Sequence, residues 1–449
     1  MAKLTRRDAI GAMAMTAASY SRILGANERL RMGYIGLGNR GDQVHDAFLE
    51  HGDATTAAVC DLREDYMNFA SEKAVRKGHA TPKRFDDYRK LIEDKDIDAV
   101  MIATPDHWHA LMFVAACNAG KDVYVEKPMS LTVVEGRKMV ETAERTKRVV
   151  QVGIHRRSSA FLKDAAELSR AQGYGKISVA RGFHVLNEWP NGIGKPAEGA
   201  MPAGMTERMW DQWLGPAPKV PYNSNRTFYR FRWFYDYSGG QLTNFGVHYV
   251  DMLRWCLGQD APRSVTAIGG KYAIDDNRQI PDTLEVLWQW DGPTLMTFSQ
   301  FNANAAPANA QSAEMELRGT KGTMYLHGNR WEVVPEKTTE LLVSARTPLD
   351  RQTERGYNPS KKVAMEGITG KGSADTAFHA RNFLDCVKSR AKCNCDVLTG
   401  HLSTSATLIA KIALLEKAHL EWDARAERFS NNTAANKLLH YEYRSGYKL

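Results

Sequence analysis

The 449-residue sequence has few cysteines and, beyond its first 26 residues, no hydrophobic run expected to cross a membrane. Four of its six cysteines fall within apolar helix or strand patterns, where a thiol packs as a small hydrophobic group. Cys393 and Cys395 lie two residues apart in a loop, and a bridge between them would be strained. No cysteine or histidine spacing matches a zinc site. We therefore expect no bound metal and no permanent membrane span.

The charges of the chain show no strong excess of one sign. Sixty basic residues against 52 acidic residues leave a net charge of +8, and the two kinds are intermixed, as in ATPKRFDDYRKLIEDKD. That mixture is typical of solvated helix faces and argues against a nucleic-acid partner. With 43% apolar residues and ten tryptophans, the chain can form a sizeable core, and its length predicts two or three domains.

The N-terminal residues 5–10, TRRDAI, resemble the start of a twin-arginine export signal. Small and apolar residues follow, up to a candidate cleavage point near Ala26, although the signal pattern usually has phenylalanine where Ala9 stands. The resemblance predicts a signal peptide over residues 1–26, export through the twin-arginine machinery and a periplasmic protein. The alternative is an ordinary N-terminus with paired arginines, which leaves the protein in the cytoplasm.

Residues 27–152 alternate short β-branched runs with amphipathic stretches, as in RMGYIGLG, TTAAVCD and DAVMIATP. This order predicts an α/β domain, with βαβ units around a doubly wound parallel sheet of the Rossmann type. One helix is well delimited, because PDHWHALMFVAACNAGK starts after Pro105 and stops at Gly120.

Residues 153–449 have longer loops and alternating strands. In TLEVLWQW, the side chains of Leu284, Val286, Trp288 and Trp290 share one face. This alternation predicts a second, α+β domain with an open, mainly antiparallel sheet. The polar C-terminal tail, SNNTAANKLLHYEYRSGYKL, is expected to wrap the surface.

A glycine-rich turn joins the first predicted strand to the first predicted helix. In YIGLGNRGDQVHDAFLE, Gly36, Gly38 and Gly41 permit a tight turn and the close approach of a pyrophosphate to the helix N-terminus. Asp61 ends the second strand, where a carboxylate accepts hydrogen bonds from the adenosine ribose. The pattern predicts NAD as the cofactor, and Arg63, two residues further on, leaves NADP as the less favoured alternative.

Two further features place polar groups where ligands bind. Lys127, in VYVEKPMS, follows a buried strand, and its amine there either orients a substrate hydroxyl or reaches out to water. In GGQLTNFGVHYVDMLRW, Asn244, His248, Asp251 and Trp255 recur at helical spacing on one face of an otherwise apolar helix. Either these groups satisfy one another in the core or they line a pocket that faces the cofactor.

These motifs, with ATPDHWHA, EKP and GGQLTNFGVHYVD, resemble those of the glucose-fructose oxidoreductase, inositol dehydrogenase and rhizopine-catabolism (Gfo/Idh/MocA) family. The stretch QVGIHRRSS and the C-terminal WDARAERFSNNTAANKLL resemble the exported branch of that family. The resemblance implies a Rossmann domain followed by an α/β domain whose open sheet mediates formation of a homodimer or homotetramer. Asn244 stands where many members have aspartate; its amide cannot relay a proton but can still bind a sugar hydroxyl.

The resemblance also implies roles for individual residues. Lys127 matches the lysine that contacts substrate and cofactor, and His248 matches the histidine assigned as general base, so these two are the expected catalytic residues. The residues expected to bind the cofactor are Gly36, Gly38, Asn39, Arg40, Gly41, Asp61, Thr104, Pro105, His109, Glu126 and Lys127. The residues expected to bind a carbohydrate include His155, Arg156, Asn244 and His248. Trp233 and Tyr235 are added from an aromatic insertion, residues 209–240, whose rings either contact a sugar or hold the loop on the sheet.

The expected reaction is oxidation of a sugar carbinol, with His248 taking the proton, Lys127 assisting at the same hydroxyl, and NAD held tightly and regenerated in place. Twin-arginine export fits this expectation because that route carries folded, cofactor-loaded proteins. One alternative is an NAD-dependent glycosidase or lyase that works through a transient keto sugar, although the family's glycosidases are expected to lack the Glu-Lys-Pro lysine. Another alternative is a non-catalytic protein that binds a dinucleotide or a sugar.

Overall fold

A parallel sheet of six strands forms the first layer of the structure, a computed structural model that describes residues 29–197, 201–202, 204–338, 361–444 and 446–449. The strands are β1 (Leu30–Ile35), β2 (Ala54–Cys60), β3 (Lys83–Phe85), β4 (Ala99–Ile102), β5 (Asp122–Val125) and β6 (Val150–Val152). Their order is β3-β2-β1-β4-β5-β6, which confirms the predicted Rossmann sheet. The predicted export signal, residues 1–26, lies outside the described residues.

Helices cover both faces of this sheet. They are α1 (Asn39–Leu49), α2 (Glu64–Arg76), α3 (Tyr88–Glu93), α4 (Asp106–Asn118) and α5 (Val133–Thr146). Because of this cover, β4 and β5 are buried at every position, which is why both read as short, mainly apolar runs in the sequence. The helix predicted between Pro105 and Gly120 is α4.

A larger, mainly antiparallel sheet follows α6 (Ala160–Arg170) and confirms the second predicted architecture. The strands of the second domain are β7 (Ile177–Asn187), β8 (Pro262–Gly270), β9 (Thr283–Trp290), β10 (Leu295–Phe301), β11 (Ala303–Asn304), β12 (Met315–Gly319), β13 (Gly322–Leu326), β14 (Arg330–Pro335), β15 (Lys337–Thr338), β16 (Lys362–Val363), β17 (Ile368–Lys371), β18 (Leu420–Asp423) and β19 (Arg428–Phe429). Their order in the sheet is β17-β14-β13-β12-β7-β10-β9-β8-β18-β19, and among these described strands only β7 and β10 pair in parallel. A short strand, β11, pairs with β7 off this path, and β15 and β16 form a separate ribbon.

One face of the second sheet packs on helices. The helices of the second half of the chain are α7 (Glu207–Leu214), α8 (Gly240–Asn244), α9 (Gly246–Leu257), α10 (Thr376–Ser389), α11 (Val397–Glu416) and α12 (Thr433–Lys437). Strand β9 has the predicted alternation, since Trp288 is fully buried whereas Leu287 on the opposite face is 41% exposed. The Trp288 indole donates a 2.9 Å hydrogen bond to the Ala406 carbonyl on α11, which joins sheet and helix.

The C-terminal helices α10 and α11 return to the centre of the molecule. Phe383 of α10 packs edge-on against Phe48 and Tyr124, so α10 covers the parallel sheet although it follows the second sheet in sequence. Helix α11 is long and apolar enough, by length and composition, to cross a membrane, but most of it is buried as a core helix. The six cysteines are free and buried, including Cys393 and Cys395.

The helix predicted over GGQLTNFGVHYVDMLRW is in fact two helices, α8 and α9, which meet at Phe245. The Phe245 ring stacks on His184 of β7 with 4.5 Å between centroids. Its carbonyl accepts a 3.0 Å bond from the His248 amide three residues on, a tighter turn than a continuous α-helix makes. The break between α8 and α9 therefore coincides with the contact that Phe245 makes with the second sheet.

Candidate active site

The turn between β1 and α1 lies so close to its neighbours that two positions accept only glycine. Gly36 has a φ of +84°, and a Cβ there would lie 2.7 Å from the carbonyl carbon of Ala103. A Cβ on Gly41 would lie 2.0 Å from the Gly36 carbonyl oxygen. At Gly38, the nearest described atom to such a Cβ is 3.7 Å away, on Tyr66, so the backbone is open beside the helix N-terminus. This cradle fits a dinucleotide pyrophosphate, because amides and the helix dipole favour an anion there.

Asp61 is held at the end of β2 by two backbone amides. Its Oδ2 accepts a 2.7 Å bond from Leu37, and its Oδ1 accepts a 2.9 Å bond from Arg63. Burial raises the pKa of this carboxyl, and the two amide bonds oppose that effect. The carboxylate is thus fixed beside the glycine turn, where a ribose would bind.

Arg40 and Glu126 form an ion pair beneath the turn, with 2.9 Å between Nε and Oε1. The Arg40 guanidinium also donates to the Thr376 hydroxyl at 3.3 Å, at the start of α10. A Cβ on Gly153 would lie 2.5 Å from Glu126 Oε1, so this carboxylate is packed on both sides. Both predicted cofactor residues line the cleft, but their charges neutralise each other.

Lys127 extends from the parallel-sheet domain to the second domain. Its Nζ donates a 2.7 Å bond to Oδ1 of Asn244, whose Nδ2 donates a 3.0 Å bond to Gln241. Burial lowers the pKa of Lys127 to about 8, and the positive charge of Arg232 adds to this effect. The amine is therefore able to exchange its proton slightly above neutral pH.

His248 lies one helical turn beyond Asn244 and is 6% exposed. Its ring is 5.2 Å from that of His155, in an edge-to-face arrangement. Burial lowers the pKa of both imidazoles well below the ordinary value, and the charge of Lys127 acts in the same direction. Among the described residues, Nδ1 of His248 has no hydrogen-bond partner. The imidazole is therefore neutral with an unshared nitrogen, and its lowered pKa makes it a weaker base than a free histidine.

The rest of the polar stripe on α9 is structural. Asp251 accepts a 2.8 Å bond from Arg157 and a 2.6 Å bond from the Ser403 hydroxyl on α11. The Arg157 guanidinium lies 5.1 Å from the centre of the Trp255 ring. Both interpretations of the stripe therefore apply, because Asn244 lines the cleft whereas Asp251 and Trp255 are packed within the core.

One cleft runs along the carboxyl ends of the parallel strands. Of the residues predicted to bind the cofactor, all except Gly41 and His109 line it. Of those predicted to bind a carbohydrate, Asn244 lines it, and His155, Arg156 and His248 do not. Arg156 is instead paired with Glu314, 2.5 Å from Nη2 to Oε2.

Three further residues predicted to contact a ligand do not line the cleft, because the fold directs their side chains elsewhere. The His109 ring nitrogens each lie 2.8 Å from a backbone carbonyl oxygen, those of Pro128 and Thr104, so the ring braces two turns. Trp233 is 3% exposed and packs in the core of the aromatic insertion. Tyr235 is half-buried and does not line the cleft either. Sequence position brought these residues near the site, but long-range packing turned them away from it.

Two family models match the chain. An oxidoreductase family model with an NAD-binding Rossmann fold matches residues 30–154, and an oxidoreductase family model of the C-terminal alpha/beta domain matches residues 176–298 and 370–449. The chain belongs to the Gfo/Idh/MocA family. Membership makes it an oxidoreductase-family protein with a fold for a nicotinamide cofactor.

Curated relatives of this family member match a limited stretch. A glycosyl hydrolase family 109 protein of Saccharopolyspora erythraea is 38% identical over 127 residues, which are 27% of this chain and 28% of that protein. The chain thus matches little more than a quarter of the length of that relative. A match of this length does not assign an activity to the whole chain.

Solved structures match this family member over most of its length. Levoglucosan dehydrogenase in complex with NADH and levoglucosan has a TM-score of 0.61 and 16% identity, covering 88% of this chain and 99% of that one. The WlbA dehydrogenase from Bordetella pertussis, in complex with NADH and UDP-GlcNAcA, gives the same TM-score, identity and coverage. At these identities the likeness shows the fold.

The sequence patterns did not predict that the C-terminal tail lines the cleft. Tyr447 lines the cleft and packs edge-on against Trp108, with 5.5 Å between ring centroids. Arg444 anchors the tail by a 3.0 Å bond to the Gly215 carbonyl and an ion pair with Asp211 of α7. The three tyrosines of YEYRSGY were the signal available in the sequence.

Proposed function

We propose that this protein is an NAD-dependent oxidoreductase that oxidises a carbinol of a sugar or sugar derivative. The observation that carries the proposal is the hydrogen bond between Lys127 and Asn244, which places an amine of lowered pKa at the cleft that begins at the glycine cradle. The NADH and carbohydrate ligands of two dehydrogenases with this fold support it.

The residues of the site divide the proton chemistry between them. NAD, when bound, supplies the hydride acceptor. We assign removal of the hydroxyl proton to His248, which burial keeps neutral; its ring lies behind the cleft lining, so the substrate hydroxyl must approach it past Lys127 and Asn244. Lys127 in its charged form stabilises the negative charge that develops on the same oxygen, and Asn244 holds the amine in place.

The preference for NAD over NADP rests on Asp61 and Arg63. Asp61 is fixed by two backbone amides, and its negative charge disfavours a 2′-phosphate at the ribose. Arg63 donates a 2.9 Å bond to Asp65 and lies 4.1 Å from the centre of the Tyr66 ring, so its guanidinium is engaged. We propose that the cofactor stays bound between turnovers, with Tyr447 covering part of the cleft. A second sugar then accepts the hydride and regenerates NAD in place.

We also propose that the protein is exported in its folded state through the twin-arginine route and acts as a homo-oligomer in the periplasm. The TRRDAI start supports export, and the open second sheet supports self-association. Fractionation of cells that produce the chain, compared with an Arg6→Lys, Arg7→Lys variant, tests export. Retention of both forms in the cytoplasm would contradict it.

The deciding experiment uses protein that has never been reconstituted with cofactor. Its absorbance and mass should reveal bound dinucleotide, and adding a panel of sugars and glycosides should change the reduced-nicotinamide band for one substrate class. A preparation without bound or bindable dinucleotide would contradict the proposal, as would one whose band responds to no sugar.

A second candidate is hydrolysis or elimination of a glycoside through a transient keto sugar. The match to a glycosyl hydrolase family 109 protein favours it, although that match covers 27% of this chain. Aryl glycosides distinguish the two functions. Release of the aryl group with no net change in cofactor absorbance would establish the glycosidase, whereas a net change without release would establish the dehydrogenase.

A further inference from the structure

The aromatic insertion, residues 209–240, lines part of the cleft and contains three arginines near its end, each with different partners. Arg226 is paired with Asp236, 2.8 Å from Nη1 to Oδ2. Arg230 is exposed and donates a 2.7 Å bond to the side-chain oxygen of Asn225. Arg232 makes neither kind of contact: within the described ranges, no carboxylate lies within 4 Å of its guanidinium, and no side-chain oxygen accepts a hydrogen bond from it.

Arg232 is instead placed in the cleft by aromatic rings. Its guanidinium lies 3.9 Å from the centre of the Tyr229 ring and 5.8 Å from that of Phe231. All three side chains line the same cleft as Lys127 and Asn244. Stacking on a ring fixes the plane of the guanidinium and leaves its N–H edge free to bind a ligand.

The neighbouring carboxylates act on Arg232 and Lys127 at longer range, and each has a closer partner. Asp106 is buried and accepts a 2.6 Å bond from the Ser238 hydroxyl. The nearby ion pairs are Arg40–Glu126 at 2.9 Å, Arg156–Glu314 at 2.5 Å and Arg278–Glu188 at 2.9 Å. Within the described ranges, Lys127 and Arg232 therefore line the cleft without a direct ion pair.

We propose that the substrate is an acidic sugar, and that Arg232 binds its carboxylate while Lys127 and Asn244 bind the hydroxyl to be oxidised. The inference rests on the proposed function and names its substrate class. A planar guanidinium matches the two oxygens of a carboxylate, and a charge in a partly buried cleft is costly without a partner. A neutral sugar offers no counter-charge to Arg232.

The test compares acidic and neutral sugars on the complete, cofactor-loaded protein. The probes are glucuronate and galacturonate, their methyl esters, and the parent aldohexoses. Arg232→Gln is the test variant. Arg230→Gln is the matched control, because it makes the same change two residues away, outside the cleft lining. Thermal unfolding and bound-cofactor content are measured for both variants.

We expect the acids to exceed the esters and aldohexoses in the second-order rate constant for reduction of the bound NAD, measured in a single turnover. Arg232→Gln should lower this rate constant for the acids by about 10- to 100-fold, the range for loss of a charge-assisted hydrogen bond, and hardly change it for the neutral probes. Arg230→Gln should leave the ratio of acid to ester as it is. Titration calorimetry of glucuronate should show the same loss of affinity in Arg232→Gln.

Three outcomes would overturn the inference. Turnover of the neutral probes at the rate of the acids, unaffected by Arg232→Gln, would leave the proposed oxidoreductase standing without an acidic substrate. Loss of bound cofactor in Arg232→Gln, with no change in the acid-to-ester ratio, would assign the arginine to the dinucleotide pyrophosphate. Absence of turnover with every sugar and glycoside would remove the proposed function itself.

Discussion

The Nζ atom of Lys127 lies 2.7 Å from Oδ1 of Asn244, across the boundary between the parallel-sheet domain and the second domain. Because the asparagine side chain is uncharged, it does not offset the burial that lowers the pKa of Lys127 to about 8. An aspartate would do so. The residue at position 244 therefore sets the pH at which Lys127 loses its proton.

Asn244→Asp should raise the pKa of Lys127, because a carboxylate 2.7 Å away favours the charged amine. If charged Lys127 is the active form, the rate of the natural protein falls above about pH 8. In the variant this fall should move to higher pH. The measurement is kcat/KM against pH, with Asn244→Leu as the uncharged control. An unchanged alkaline limb in Asn244→Asp would show that another group titrates there.

Lys127→Met and His248→Gln should each lower kcat by about 10²- to 10⁴-fold, the usual contribution of a positioned acid or base. Cofactor content should stay near that of the natural protein in His248→Gln, because the glycine cradle is untouched. In Lys127→Met the rate is normalised to the measured cofactor content, because Lys127 is itself expected to contact the cofactor. Lys176→Met, at an exposed lysine, is the control. Single-turnover absorbance measures the chemical step, and full activity in either variant would remove that residue from the mechanism.

Gly41→Ala and Gly38→Ala should fail in different ways. A Cβ on Gly41 meets the Gly36 carbonyl oxygen at 2.0 Å, so the first variant should lose stability, by about 2 to 3 kcal/mol for such overpacking. The Gly38 position has room within the chain, so the second variant should fold normally and bind NAD at least about tenfold more weakly. Urea unfolding and NAD titration of the stripped protein separate the two effects.

Tyr447→Ala should release the cofactor faster, because the edge-on contact with Trp108 closes part of the cleft. Loss of an aromatic contact of this kind predicts an increase of about tenfold in the dissociation rate. Tyr272→Ala, at a tyrosine that is 68% exposed and outside the cleft lining, is the control. Equal release rates in the two variants would leave the tail without a part in cofactor retention.

Glu427→Gln should destabilise the protein in a pH-dependent way. Burial alone raises the pKa of Glu427, but hydrogen bonds from His401 and Arg137 outweigh it and lower the pKa to about 2. The contribution of the native carboxylate is therefore complete above its ordinary pKa of 4.5 and is lost as the pH falls toward 2. The variant should be less stable by about 1 to 3 kcal/mol at pH 7. Urea unfolding at pH 7, 5 and 3 should show the difference shrinking.

Local patterns in the sequence predicted the features that depend on neighbouring residues. Trp288 alternates with Leu287 because strand side chains point to opposite faces, and the burial of the two follows. Gly41 and Gly36 lie in one turn, so the close contact of Gly41 with the Gly36 carbonyl is set locally, whereas Gly36 is confined by Ala103 of a neighbouring strand end. The helix α4 was predictable for a similar reason, because Pro105 and Gly120 mark its two ends in the sequence.

Side-chain direction was less predictable, because residues distant in sequence decide it. His109 binds two backbone carbonyls, Trp233 is buried in the insertion, and Tyr447 reaches the cleft from the end of the chain. No spacing in the sequence shows any of these contacts. The composition of the insertion and the tail showed that aromatic surfaces were present, but not which of them face the cleft.

The amino-acid sequence by itself determined a parallel sheet with a glycine-rich turn after the first strand, a carboxylate at the end of the second strand, and an amine at the end of a later strand. Each of these follows from short-range periodicity and turn geometry. Only the tertiary structure decided that Lys127 meets Asn244, that Glu126 is neutralised by Arg40, and that Arg232 has no carboxylate within ion-pair distance among the described residues. The first two are contacts between residues more than 80 positions apart, and burial and electrostatic pairing, which set their chemistry, exist only once the chain is packed.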